Sequence, residues 1–346
     1  MPTNQIMTES IDVKAPINFQ VDGDREAIAA AKNKVAIYDT SHWGKIRVSD
    51  TDRLRFLHNQ STADFQQLKP GQGCDTVFVT STARTIDLAT GLVLDDEVLL
   101  LVSPNRREYL LSWLDRYIFF ADRVKLTDTT DRMASFSLIG PDSDRVIDRL
   151  GWGEMRDLSS GDHRLFSYHH RAVRVVVGSG FALPGYHLLC DRDFVPELAR
   201  DIIDLGAIGM GESAWEALRI QQGRPKPDAE LTEDYNPLEV GLWQTISFSK
   251  GCYIGQETIA RLNTYQGVKQ YLWGIKLAQV APIGTPLLLD GEKVGILTSC
   301  QETGSGGFGL GYLRVKAGGV GLQVQIGDTV GEIVAVPFVS HQYPVL

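Results

Sequence analysis

The chain carries no apolar run long enough to cross a membrane, no apolar core within its polar start (Met1 to Glu9), few cysteines and no excess of positive charge. The first two absences exclude a membrane-spanning helix, which needs about 20 apolar residues in succession, and a secretory signal. A cytoplasmic protein is expected. A net charge of −9 and a pI near 5.3 exclude the basic field that general binding to nucleic acid or to an anionic membrane surface requires. The four cysteines, Cys74, Cys190, Cys252 and Cys300, are scattered, without the close pairing of zinc or cluster ligands. Reduced thiols and no resident metal are expected. His42, His169 and His170 stand at no metal-ligand spacing from a cysteine or carboxylate. Gly304-Ser305-Gly306-Gly307 lacks the Lys-Ser/Thr ending of a phosphate loop and reads as a mobile hairpin tip.

What is present is an ordinary globular composition in 346 residues, more than one core usually serves, so two or three domains are expected. Lys45 to Val48 reads as a strand leading to a helix through Leu54 and Leu57. The cadence recurs at Phe136 to Ile139, where Gly140-Pro141 turns into a helix with Val146, Ile147 and Leu150 on one stripe, ended by Gly151. Each opening leads to paired strands and a second helix. In the first, a hairpin around Asp95-Asp96-Glu97 precedes a helix capped by Ser103-Pro104, with Tyr109, Leu110, Trp113, Leu114 and Tyr117 inward. In the second, Val173 to Val177 and Tyr186 to Leu189 precede a helix from Phe194 to Leu205. Short glycine-punctuated apolar segments from about Tyr271 onward predict a small β-barrel. The fold class is therefore α+β: two related α+β subdomains (1–125 and 126–210), a connecting helix and loop segment (211–269) packed with the first, and a C-terminal β-barrel (270–346).

The most distinctive stretch is the octet Lys250-Gly251-Cys252-Tyr253-Ile254-Gly255-Gln256-Glu257. It places one cysteine before a helix start and beside an ammonium, both of which favour a thiolate. A lone intracellular cysteine is more often a small inert core residue, but two glycines, an ammonium, a phenol and a Gln-Glu pair are poor core fillers. Glu257 alone could complement the helix dipole, Gln256 could be a cap, and Lys250 could be a surface charge. Asp87, within an apolar strand, must be paired, face a cavity or point outward. Arg219 ends a helix before Gly223 and could serve the dipole or clamp an anion; Arg224, Lys226, Arg261 and Lys269 add to the basic supply. Trp43, in Asp39-Thr40-Ser41-His42-Trp43-Gly44-Lys45, suits either a core or a planar ligand.

These residues carry a resemblance. The octet, together with Tyr38 to Val48, Leu68 to Gly73, Arg219 to Gly223, Asn236 to Leu242 and Gly309 to Arg314, resembles the YgfZ family of folate-binding proteins, relatives of the glycine-cleavage T-protein and of a mitochondrial iron–sulfur assembly factor. The resemblance implies domains arranged round a central pocket for tetrahydrofolate or a one-carbon derivative. It also implies support of iron–sulfur cluster proteins, including tRNA-modifying enzymes, with cluster assembly factors or client enzymes as partners. Cys252 becomes the motif cysteine at the pocket edge, Asp87 the counterpart of an acidic T-protein residue, and Arg219, Trp43, Tyr186 and Arg261 the candidate folate contacts. Three departures stand out: Asp87-Leu88 replaces paired aspartates, Leu183 stands near the place of a pterin-gripping glutamate, and Gln221 replaces a glutamate. The alternative function is aminomethyl transfer to tetrahydrofolate with Asp87 as acid–base group.

Overall fold

The computed structural model describes residues 23–304 and 306–343. The polar start falls outside them. Helix α1 (Asp24–Asn33) and strand β1 (Ala36–Asp39) open the described chain. The first repeat is β2 (Gly44–Ser49), α2 (Arg53–Gln60), β3 (Gly73–Val79), β4 (Thr85–Val93), β5 (Glu97–Val102), α3 (Arg107–Asp115) and β6 (Lys125–Asp128). The second is β7 (Met133–Ile139), α4 (Ser143–Arg149), β8 (His163–Tyr168), β9 (Arg171–Val177), β10 (Gly185–Asp191), α5 (Val195–Asp204) and β11 (Ile208–Met210). Helices α6 (Glu212–Gln222), α7 (Pro237–Val240) and α8 (Gln256–Thr264) connect to the barrel strands β12 (Gln270–Leu277), β13 (Pro286–Leu289), β14 (Glu292–Thr303), β15 (Gly306–Arg314), β16 (Gln323–Ile326) and β17 (Thr329–Val334).

The repeats share a plan. In the first sheet the order is β3-β4-β5-β2-β6; in the second it is β8-β9-β10-β7-β1-β11. Each is a three-strand meander lying beside its own opening strand, with the closing strand beyond. The second sheet differs by one insertion: β1 pairs antiparallel with β7 and parallel with β11. Residues 24–39, expected in the first subdomain, are thus built into the second, with α1 packed on β11 and α6. Their short apolar run pairs with a strand a hundred residues away, which local pattern does not encode. The C-terminal strands form a closed six-strand barrel, β12-β15-β14-β13-β16-β17, as expected from Tyr271 onward, except that Gly306 and Gly307 belong to β15 rather than to a hairpin tip.

Strand periodicity explains how the sheets meet. Along β5, Val98, Leu100 and Val102 join the core under α2 and α3 with Phe56, Leu57, Leu110 and Trp113, while Leu99 and Leu101 face the second sheet and meet Val176 and Leu189. A strand buried on both faces reads as a continuous apolar run, as Val98 to Val102 does. Tyr109 is the exception to the predicted stripe of α3, being 44% exposed. Ser103 makes no side-chain cap, because its hydroxyl is used elsewhere.

Helix α6 ends in a Schellman turn: Gly223 N–H bonds to Ile220 O and Arg224 N–H to Arg219 O, with Gly223 at φ 79°. A Cβ there would lie 2.3 Å from Val336 Cγ2, so only glycine fits. The turn sends Arg219 and Arg224, five positions apart, into different surroundings.

Candidate functional site

A space between the facing surfaces of the two sheets is bordered by α6 and the segment after it. Its narrow middle chamber, about 30 Å³, is lined by Thr90 and Leu101 of the first sheet, Ser135, Ser137 and His187 of the second, Trp43 and Trp215, and Arg224. Alternation supplies this wall: Phe136, Leu138, Tyr186 and Leu188 point into the core under α4 and α5, so the intervening Ser135, Ser137 and His187 point the other way. An outer chamber of about 210 Å³ shares Trp43, Trp215 and Arg224 and adds His42, Ser103, Glu212, Glu216 and Lys226. A third, about 100 Å³, shares Thr90, Phe181 and His187 and reaches Cys74 and Asp75.

Aromatic rings frame the middle. Trp215 takes Trp43 edge-on at 5.8 Å, stacks on Tyr38 at 5.2 Å and lies 5.7 Å from Phe181. The turn bearing Trp43 is held from below by Lys45, wholly buried, whose ammonium donates to the carbonyls of Thr40 (3.2 Å), Ser41 (2.9 Å) and Trp43 (3.0 Å). Burial pushes this ammonium down to about 7. Burial and the Arg224 guanidinium push His187 down to about 4, so the ring is neutral at physiological pH. His42 Nδ1 is buried with no hydrogen-bond partner among the described residues. Arg224, 7% exposed, donates to Gly180 O at 2.7 Å and lies against the rings of Trp43 (5.5 Å) and Phe338 (5.3 Å).

Asp87 stands one layer behind this wall. It is wholly buried and accepts from Ser103 N–H (2.9 Å) and Ser103 Oγ–H (2.6 Å). Burial raises its carboxyl to about 6, against those two hydrogen bonds and the fields of Arg224 and Arg106. Ser103, not Asp87, meets the outer chamber. Leu88 packs in an apolar cluster with Val77 and Val79.

Arg219 is placed as an internal tie, not as a ligand contact. All five of its N–H groups are taken: Nε and Nη2 by Glu216 (2.7 and 2.8 Å), Nη1 by Arg224 O (2.8 Å) and Glu230 (3.0 Å), and Nη2 again by Ser299 Oγ (2.8 Å). It joins α6 to the barrel strand β14 with nothing left to donate. Tyr186 likewise faces away from the cavity, its hydroxyl donating to Asp144 at 2.7 Å. Arg261 is exposed on α8. Of the four proposed folate contacts, the structure brings only Trp43 to the chambers.

The octet forms a clip on the first subdomain. Lys250 is buried, and its ammonium donates to the carbonyls of His58, Ser61 (2.7 Å) and Ala63 (2.7 Å) while lying 4.4 Å from the Tyr253 ring centre. This excludes the surface-charge alternative and spends the ammonium on main-chain carbonyls. Burial pushes it down to about 7. Ile254 N–H bonds to Asn59 O (2.9 Å), Tyr253 packs with Trp243, Ile246 and Ile259, and Gly255, at φ 79°, caps α8 against the Thr80 backbone. Gly251, Cys252 and Glu257 are exposed, and Gln256 is half-buried. Cys252 is therefore not a buried core thiol, and it is not among the residues lining the three chambers described. Helix α8 starts at Gln256, so the cysteine does precede a helix start, and Gly255 rather than Gln256 is the cap residue.

The sequence alone does not single out His187, Trp215 or Phe181, and it offers Arg224 only as one of several residues adding to the basic supply. One signal was available: a histidine in the middle of Gly185-Tyr186-His187-Leu188-Leu189, opposite in phase to the aromatic residue chosen.

The model of the GCVT N-terminal domain matches residues 4–250. A chloroplastic Arabidopsis thaliana protein named as a transferase is 45% identical over 326 residues, which span 93% of this chain and 76% of that protein. An aminomethyltransferase of Halalkalibacterium halodurans is 24% identical over 342 residues, covering 93% and 91%. The crystal structure of glycine cleavage system aminomethyltransferase T from Bartonella henselae superposes with a TM-score of 0.80 at 19% identity, over 93% of this chain and 91% of that one, which establishes the shared fold. Among the described residues no helix is long and apolar enough to cross a membrane.

Proposed function

Because this chain belongs to the GCVT N-terminal domain family, we propose that its central cavity holds tetrahydrofolate or a one-carbon derivative. The observation that carries this reading is the slot between the two sheets, flanked by Trp43, Trp215, Phe181 and Leu101, with hydroxyls, a neutral histidine and Arg224 as its polar lining. Apolar walls with a few placed polar groups are what a flat heterocycle requires. A middle chamber of about 30 Å³ has room for little more than a water or two. Entry of a pterin therefore parts the Trp43–Trp215 contact. Leu183 supplies no carboxylate for the ring, and loss of such a charged partner weakens binding by on the order of 1–3 kcal/mol. The test is calorimetric titration with 5-formyltetrahydrofolate: saturable binding that weakens about tenfold in Trp43→Ala supports the reading, and no binding to the wild type refutes it.

The finer reading is a YgfZ-type protein that supports iron–sulfur proteins, with Cys252 meeting a sulfur, a one-carbon adduct or a partner protein. Its support is the exposure of Cys252 on a rigidly clipped segment. A Cys252→Ala chain that restores cluster-enzyme activity in a deletion strain as well as the wild type does would dismiss it. Aminomethyl transfer through Asp87 is the lesser reading, because that carboxyl is screened by Ser103 and has no second aspartate beside it. Formation of methylenetetrahydrofolate from an aminomethylated carrier, abolished in Asp87→Asn, would reinstate it.

A further inference from the structure

We infer that the cavity contains a subsite for a small carboxylate, clamped by the N–H edge of Arg224. This goes beyond the folate reading and does not depend on it. Arg224 is 93% buried, yet among the described residues its side chain makes a single hydrogen bond, Nη1 to Gly180 O, and the carboxylates of Asp75 and Asp87 act on it only as fields, without an ion-pair contact. Trp43 and Phe338 lie against the guanidinium, at 5.5 and 5.3 Å, and Arg224 lines both the middle and the outer chamber. A buried cation is costly unless paired and hydrogen-bonded.

The same helix end shows the protein's ordinary solution. Arg219, five positions earlier, meets a protein acceptor with every N–H. Among the described residues no carboxylate lines the middle chamber: its polar lining is three serines, two threonines and His187, and none of these accepts a hydrogen bond from Arg224. Glu216, in the outer chamber, is committed to Arg219 and Lys226 (2.6 Å), and Glu212 accepts from Tyr38. The bonding capacity left over is a planar fork, which matches a carboxylate bidentately. The adjoining outer space of about 210 Å³ suits an acid of a few carbons. This ligand class is a monocarboxylate whose remaining atoms lie against Trp43 and Trp215.

The full chain is titrated with acetate, and with acetamide as the neutral isostere, at constant ionic strength, following tryptophan fluorescence and saturation-transfer NMR of the methyl group. The expected result is saturable acetate binding by the wild type, none by Arg224→Gln, and acetate binding about tenfold weaker in Arg224→Lys, which keeps the charge and loses the fork. Acetamide gives no saturable signal. Equal responses to acetate and acetamide, no saturable acetate signal in either readout, or acetate binding undiminished in Arg224→Gln would overturn the proposal. Should Arg224→Gln fail to fold for want of the bond to Gly180, undiminished acetate binding by Arg224→Lys is the overturning result. The 5-formyltetrahydrofolate titration of the same wild-type protein reads the folate proposal separately, so either can fail alone.

Discussion

The octet and the cavity wall both bury a cation, but they finish it differently. Lys250 donates to three main-chain carbonyls, one in the last turn of α2 and two in the α2–β3 connection, and is complete within the protein; Arg224 has one carbonyl, two ring contacts and unspent N–H groups beside a cavity. A buried charge whose partners are all internal holds elements together, whereas one left incomplete beside a cavity marks where a ligand belongs. The stretch most conspicuous in sequence is, in its buried half, a clip. The chemistry-rich wall is assembled from residues that look ordinary along the chain.

The strongest way to sharpen this contrast is to break the completed arginine. Arg219→Met leaves the fully buried Glu230 without its cation, leaves Glu216 with Lys226 alone, and should cost about 3–5 kcal/mol in urea unfolding. Next is the pH dependence of Asp87, whose carboxyl keeps its proton to about pH 6 when folded, against an unfolded value of 3.8. Between these values the folded state binds more protons. The contribution is thus fully present below about pH 4 and lost as pH rises through 6, a fall of about 3 kcal/mol. Asp87→Asn should flatten that part of the stability–pH curve, seen as the difference between wild-type and variant denaturation at successive pH values.

The two caged lysines form a matched pair. Lys45→Met and Lys250→Met each leave three carbonyls without their donor and should each lose on the order of 2–3 kcal/mol. Only Lys45→Met should also weaken 5-formyltetrahydrofolate, by about tenfold, since its carbonyls belong to the turn bearing Trp43. Equal ligand loss in both would erase the distinction between clip and wall. The smallest effect is expected for Cys252→Ser: as an exposed residue it should shift unfolding by no more than about 0.5 kcal/mol and leave cavity binding unchanged.

Much of the fold was legible because it is local. The strand from Lys45, the helix through Val146 and Ile147, the helix stop at Gly223, the start of α8 and the barrel from Tyr271 each follow from period, caps and turn residues within a dozen positions. The site was less legible. Tyr186 was preferred to His187 although strand alternation puts neighbours on opposite faces, and which face meets the cavity depends on where α4 and α5 pack.

The sequence by itself determined the succession of elements, the repeated plan, the closed barrel and the presence of a cation-bearing turn after α6. Tertiary structure alone decided that residues 24–39 complete the second sheet, and that Arg219 is sealed while Arg224 opens on the cavity. The physical reason is that a buried charge is settled by acceptors arriving from elsewhere. Ser299 comes from the barrel to Arg219 and Gly180 from the second subdomain to Arg224, and no pattern read along the chain records which donors they leave unmet.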